Sequence, residues 1–189
     1  IANLKQTDAT YDSVTVAWLA SNSFGYQIFV DGQFHESFGA QTYAKTISGL
    51  MPNRVYSIGI RSTDGSGEYS DMVTILARTA LATPTIAVSR LQPEENDKIE
   101  MIIGRVDGAT EYEIYENGIL KYTRNSNLID GTSQSYAASH PELLIINFTP
   151  SARYTNYEFA VKAKGKYYDS AMSNIVEYTS LAESPQGLA

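Results

Sequence analysis

The chain has 189 residues, a formal net charge of -7 and no cysteine. The acidic balance argues against nucleic acid and anionic membrane as partners, and the missing cysteines remove disulfides, thiolate catalysis and cysteine zinc sites together. Hydrophobic residues make up 43% of the chain, enough for a packed core, and no stretch of about 18 apolar residues is present to insert into a membrane.

Residues 13–18 alternate, with Val14, Val16 and Trp18 on one face. Residues 25–30 follow and run into Asp31-Gly32, a strong hairpin signal, and Phe34 begins the return strand. Residues 42–47 alternate again and lead to Leu50. Pro52 and Asn53 then make a corner, after which Tyr56, Ile58 and Ile60 share a face. A tyrosine placed there turns its ring into the core and its hydroxyl back to the backbone of the corner. Asp64-Gly65-Ser66-Gly67 is a turn, and residues 70–79 read as the last strand, carrying Met72, Val73, Ile75 and Leu76. Seven or so strands in eighty residues, without a helical run, predict an antiparallel sandwich.

The second half repeats the first. Tyr26-Gln27-Ile28-Phe29-Val30-Asp31-Gly32 matches Tyr112-Glu113-Ile114-Tyr115-Glu116-Asn117-Gly118. Val14, Val16 and Trp18 correspond to Ile99, Met101 and Ile103; Tyr56, Ile58 and Ile60 correspond to Tyr157, Phe159 and Val161. Ser70-Asp71-Met72 matches Ser170-Ala171-Met172, and Thr79 aligns with Thr179, a period of 100 residues (179 − 79). That period is one sandwich domain, so whole domains repeat. The boundaries are placed at 1–80 and 81–180, with 181–189 starting a linker to a further domain. The chain reads as a piece of a longer polypeptide, because Pro185 repeats the linker proline Pro84. The short linker at residues 80–84 predicts a semi-rigid, elongated pair.

These residues resemble tandem fibronectin type III domains, an all-β, immunoglobulin-like sandwich fold. The resemblance rests on Trp18, on the Leu50, Pro52 and Tyr56 corner, and on Ser70 before the closing Thr79. The second domain departs from the pattern: Ile103 stands where the tryptophan would be. Phe148 and Pro150 are followed by a longer approach to Tyr157, and Tyr154 competes for the corner; Tyr157 is favoured because Phe159 and Val161 continue its face. The resemblance implies a module reused as spacer, adhesive or receptor element, so it speaks for fold more than for function.

The second domain has also grown. Gly32 to Leu50 spans 18 residues and Gly118 to Phe148 spans 30, with the excess in a polar loop at residues 123–141. That loop either contacts a ligand through Tyr136 and His140 or folds over a sheet edge. Two further candidate contacts are Tyr69, in the turn after Thr63, and Tyr167 with Tyr168 in the equivalent second turn, since tyrosine offers large area at low entropy cost.

Catalytic and metal signatures are missing. His35 and His140 have no partner at metal-ligand spacing, and Asp64, Glu68 and Asp71 do not follow a calcium-loop spacing. Neither a nucleophile elbow nor a phosphate loop occurs. Asn147-Phe148-Thr149 fits a glycosylation sequon, set against a Phe148 that belongs in the core. The expected function is therefore non-catalytic and without cofactor: a spacer or adhesive module of a larger extracellular, cell-surface or phage virion protein, of bacterial or phage type. Its partners would be neighbouring domains of the same polypeptide and a protein or surface glycan. Two alternatives stay open, an accessory module of a secreted carbohydrate-active enzyme and a receptor-type protein-binding module. Aromatics in a row would favour sugar, and a contiguous apolar patch a protein.

Overall fold

The computed structural model describes residues 1–19, 22–90, 99–127, 140–148 and 155–180. It divides into two compact units, Ile1–Ala80 and Leu81–Ala189. Among the described residues every element is a strand.

The first unit holds β1 (Ala2–Ala9), β2 (Ser13–Leu19), β3 (Gly25–Val30), β4 (Gln33–Gly39), β5 (Ala44–Ser48), β6 (Val55–Thr63) and β7 (Val73–Arg78). They form a three-stranded sheet, β1-β2-β5, and a four-stranded sheet, β4-β3-β6-β7, with every pairing antiparallel. Alternation decides which side chains meet between the sheets. Val14, Val16, Trp18 and Ile47 from one sheet share a core with Tyr26, Ile28, Tyr56, Ile58 and Ile60 from the other. Fully burying an aliphatic side chain contributes roughly 1.5–3 kcal/mol. Trp18 meets Tyr26 edge-on, with ring centroids 5.5 Å apart, and lies 5.6 Å from Phe38.

The second unit holds β8 (Ile86–Arg90), β9 (Ile99–Gly104), β10 (Ala109–Glu116), β11 (Ile119–Asn125), β12 (Leu143–Phe148), β13 (Asn156–Gly165) and β14 (Val176–Thr179). The sheets β12-β9-β8 and β11-β10-β13-β14 repeat the strand order of the first unit. Ile99, Met101 and Ile103 pack with Tyr112, Ile114, Leu144, Tyr157, Phe159 and Val161. Two antiparallel β-sandwiches in tandem, each built from a three-stranded and a four-stranded sheet, are the fold.

The repeat holds at the level of single hydrogen bonds. Asp31 and Asn117 both adopt positive φ, 48° and 52°, each followed by a positive-φ glycine, as a two-residue hairpin turn of this hand requires. Asp31 Oδ1 accepts from Ser57 N–H at 2.8 Å, and Asn117 Oδ1 accepts from Glu158 N–H at 2.8 Å. Tyr56 is buried and its hydroxyl accepts from Met51 N–H at 2.7 Å, the tyrosine corner itself. An amide side chain ties the two sheets together in each unit. Gln6 donates to the Arg78 carbonyl at 2.7 Å and accepts from its N–H at 2.9 Å; Asn174 does the same for Ile86, at 3.1 Å each way.

Several expectations are corrected. The last strand of the first unit is Val73–Arg78, not residues 70–79. Ser70 bonds Ser62 through its hydroxyl and its N–H, at 3.0 Å each, so a serine side chain does the work of a ladder bond. The strand Ala2–Ala9 was not anticipated, because polar Asn3, Lys5 and Asp8 interrupt its apolar signal. The run at residues 42–47 forms a strand at Ala44–Ser48. The strand β11 continues through Thr123 to Asn125, so the long connection starts later than residue 123. Thr79 has Ser180 as its counterpart, not Thr179. Arg54 N–H donates to the Thr79 hydroxyl and Thr155 N–H to the Ser180 hydroxyl, at 3.0 Å each. Tyr56 and Tyr157 show the same offset of 101 residues (157 − 56), which identifies Tyr157 as the counterpart of the corner tyrosine. Tyr154, Pro150, most of the 123–141 loop and residues 181–189 lie outside the described residues.

Candidate binding surface

The strands of the four-stranded sheet in the first unit send Tyr26, Ile28, Ile58 and Ile60 inward. The alternate positions point outward, and there the sequence breaks the usual polar rule. Phe29 stands opposite Phe34, with rings 5.8 Å apart and inclined at 76°. Gly59 sits beside Phe29 on the next strand, and a Cβ there would lie 2.5 Å from Met72 Sδ, so the methionine covers the glycine. Leu76, opposite Ser57, is 75% exposed, and Phe34 is 56% exposed. Met72 is also exposed. Phe29, Phe34, Met72 and Leu76 thus place apolar surface on the solvent side of one sheet.

Arg61 lies beside them. Register places it opposite Gln27, and its Nε donates to Gln27 Oε1 at 2.9 Å. Its guanidinium carbon is 3.9 Å from the Tyr69 ring centre and 5.0 Å from that of Phe29. Gln27 Nε2 reaches the Tyr69 hydroxyl at 3.4 Å, so one amide holds both neighbours of the stack. An open hollow of about 220 Å³ adjoins Tyr69, lined by Asn22, Ser23, Thr63, Asp64 and Glu68 among others. Asp64 is engaged locally: bonds from the Ser66 N–H and hydroxyl, at 2.8 Å each, lower its carboxyl below the usual 3.8.

The counterpart face of the second unit carries a cluster of ion pairs, with Leu120 exposed beside Tyr115 at the position of Phe34. Lys162 and Lys164 both meet Asp169 Oδ2, at 3.4 and 2.5 Å, and Lys164 lies 3.7 Å from Glu113. Tyr115 donates to Glu113 at 3.0 Å. Burial pushes the Asp169 carboxyl up, but bonds from Lys164 and from the Gly165 N–H, with the two lysine charges, outweigh it and hold the group below 3.8. The bond to Asp169 raises the Lys164 ammonium above 10.5.

Of the candidate contact residues, Tyr69 is brought to Arg61 and Gln27. Tyr167 and Tyr168 are exposed in the second unit, with Lys166 Nζ 5.2 Å from the Tyr167 ring centre. His140 is half-buried and its carbonyl accepts from Leu143 N–H at 3.0 Å; Tyr136 lies outside the described residues. The framework residues Trp18, Tyr56, Ile103 and Tyr157 are buried, Leu50 is half-buried and Pro52 exposed; Phe148 ends β12. Asn147 sits inside β12 opposite Glu100 with its side-chain oxygen buried, a poor glycan acceptor. Among the described residues no three His, Cys, Asp or Glu gather to hold a metal, and no helix is long and apolar enough to cross a membrane. Arg61, Phe29, Phe34 and Leu76 escaped sequence reasoning. Their signal was phase: Phe29 falls between inward Ile28 and Val30, and Leu76 between Ile75 and Ala77.

No protein-family model matches the chain, and no curated protein matches it. Solved structures do. A two-domain fibronectin type III segment of chicken tenascin is 12% identical, covers 95% of this chain and 98% of that one, with a TM-score of 0.48. Fibronectin(III)-like modules of Clostridium thermocellum CbhA are 12% identical, cover 96% and 94%, with a TM-score of 0.40. The FN1–FN3 domains of chicken CNTN1 are 12% identical, cover 96% and 67%, with a TM-score of 0.44. At such identity the likeness concerns fold alone.

Proposed function

We propose that this chain is a non-catalytic pair of modules within a larger extracellular, cell-surface or virion protein, where the second unit spaces and the first attaches to a protein partner. Modules of this fold are commonly spacers or binding elements rather than enzymes. The observation that carries the reading is the outward apolar group Phe29, Phe34, Met72 and Leu76 on one sheet of the first unit. Apolar surface gathered on a solvent face marks interaction sites. A protein suits this face better than a glycan. Sugar rings stack on outward-turned, coplanar aromatic faces, whereas Phe29 and Phe34 meet at 76° and Arg61 covers Tyr69. The ion-paired face of the second unit suits a solvated spacer.

The test is made on the parent protein. Peptide mass spectrometry of secreted, envelope and virion fractions is expected to find this chain there, in a polypeptide that runs into further domains. Recovery confined to the cytosolic fraction overturns the location. Phe34→Ser with Leu76→Ser in the parent is expected to abolish attachment while leaving Trp18 emission native-like. Unchanged attachment overturns the docking face.

A further inference from the structure

We propose that Arg61 is a carboxylate-receiving anchor, so that the partner of this face is a protein presenting an aspartate or glutamate side chain beside an apolar residue. The inference rests on reading the face as a protein-docking surface, and it adds the chemistry of the occupant.

Geometry supplies the first argument. The guanidinium is held between the rings of Tyr69 and Phe29 and is fixed at one edge by its Nε bond to Gln27. Its terminal Nη1 and Nη2 make no hydrogen bond among the described residues, and no carboxylate there forms an ion pair with it. A planar fork already stripped of its rotamer freedom is suited to bidentate recognition of a carboxylate.

The second unit supplies an internal control. Lys162 occupies the position of Arg61, 101 residues on (162 − 61), and both are paired with the residue at the centre of the neighbouring strand, Glu113 and Gln27. There the cation has anions around it: Asp169, at the position of Tyr69, lies 3.4 Å from Lys162, and Glu113 lies 3.7 Å from Lys164. In the first unit both carboxylate positions carry neutral groups, Tyr69 and Gln27. The cation has been kept and its anions replaced. Any partner that covers Phe29 and Phe34 also withdraws Arg61 from water, and a buried charge without a counter-ion is strongly unfavourable. The missing anion must come from the occupant.

The full chain, labelled with nitrogen-15, would be titrated with acetyl-Leu-Glu-Leu-amide and, separately, acetyl-Leu-Gln-Leu-amide. The acidic peptide is expected to shift the Arg61 Nε–H and the Gln27 side-chain amide saturably. It should bind at least about fivefold tighter than the Gln peptide, the size of one partly exposed ion pair. Molar salt should erase that preference, and so should Arg61→Gln. Gln27→Glu, which copies the second unit, should erase it with both rings intact. Trp18 emission confirms that each variant is folded. Equal binding of the two peptides overturns the inference and leaves the docking face standing. No shift of either resonance up to roughly 10 mM peptide, a binding energy below about 3 kcal/mol, also overturns it and makes the stack a brace of the sheet. Sodium glucuronate binding more tightly than the acidic peptide assigns the face to an acidic glycan and overturns the protein carboxylate.

Discussion

The two four-stranded sheets share strand order, turn chemistry and core positions, yet their outer faces differ in how their charges are met. On the first, Phe29, Phe34 and Leu76 face water and Arg61 stacks on rings. On the second, Tyr115, Leu120 and Glu177 take the places of Phe29, Phe34 and Leu76, and Lys162, Lys164, Glu113 and Asp169 neutralise one another. Inner positions are constrained by packing, so a duplicated domain keeps them. Outer positions are constrained by what lies opposite them, and that differs between the units.

If the cores are equivalent, deleting a central side chain must cost the same in each. Ile58→Ala and Phe159→Ala are expected to destabilise their own units by about 3–5 kcal/mol, read as denaturation midpoints by far-UV circular dichroism. Trp18, the only tryptophan, lies in the first unit and reports Ile58→Ala by its emission. A tolerant unit would break the equivalence.

The amide ties come next. Gln6→Leu and Asn174→Leu each strand a backbone N–H and carbonyl, so a loss of about 1–3 kcal/mol is expected in the affected unit. Tyr56→Phe removes the corner hydrogen bond and should cost about 1 kcal/mol. Measured midpoints that stay at the wild-type value would deny these bonds any role.

The outer faces should separate by pH. Asp169 is held below 3.8 when folded, so its contribution is present above the ordinary carboxylate range and is lost as pH falls through the lowered value. Asp169→Asn is expected to flatten the fall in the second unit's midpoint between about pH 5 and pH 2. Among the described residues Arg61 has no ion pair to lose, and Arg61→Gln should move the first unit's midpoint by less than about 0.5 kcal/mol at any pH. A larger loss would make the stack structural.

Much of this was legible in the chain itself. Period-two alternation marked Val14, Val16, Ile58 and Ile60 as inward, Asp31-Gly32 and Asn117-Gly118 as turns, and Tyr56 as the corner. Those signals are local, and each is set by the geometry of one strand or one turn. The strand β1 was missed because its polar residues carry no alternation. The offset of 101 is legible in the sequence at Tyr157, Phe159 and Val161 but not at the closing Ser180, because the single residue inserted between Ser170 and Val176 leaves no mark in composition.

What only the tertiary structure decided is which residues meet. The sequence by itself determined two repeated sandwiches and their inner faces, since burial selects apolar residues at every second position. It could not determine the outer face, where Phe29, Arg61 and Tyr69 stand far apart along the chain. They become neighbours because β3 pairs with β6 in one register and Thr63 bridges to Tyr69. Strand pairing is a long-range choice among many near-equal local sequences, and a slip of one residue would have turned Arg61 into the core.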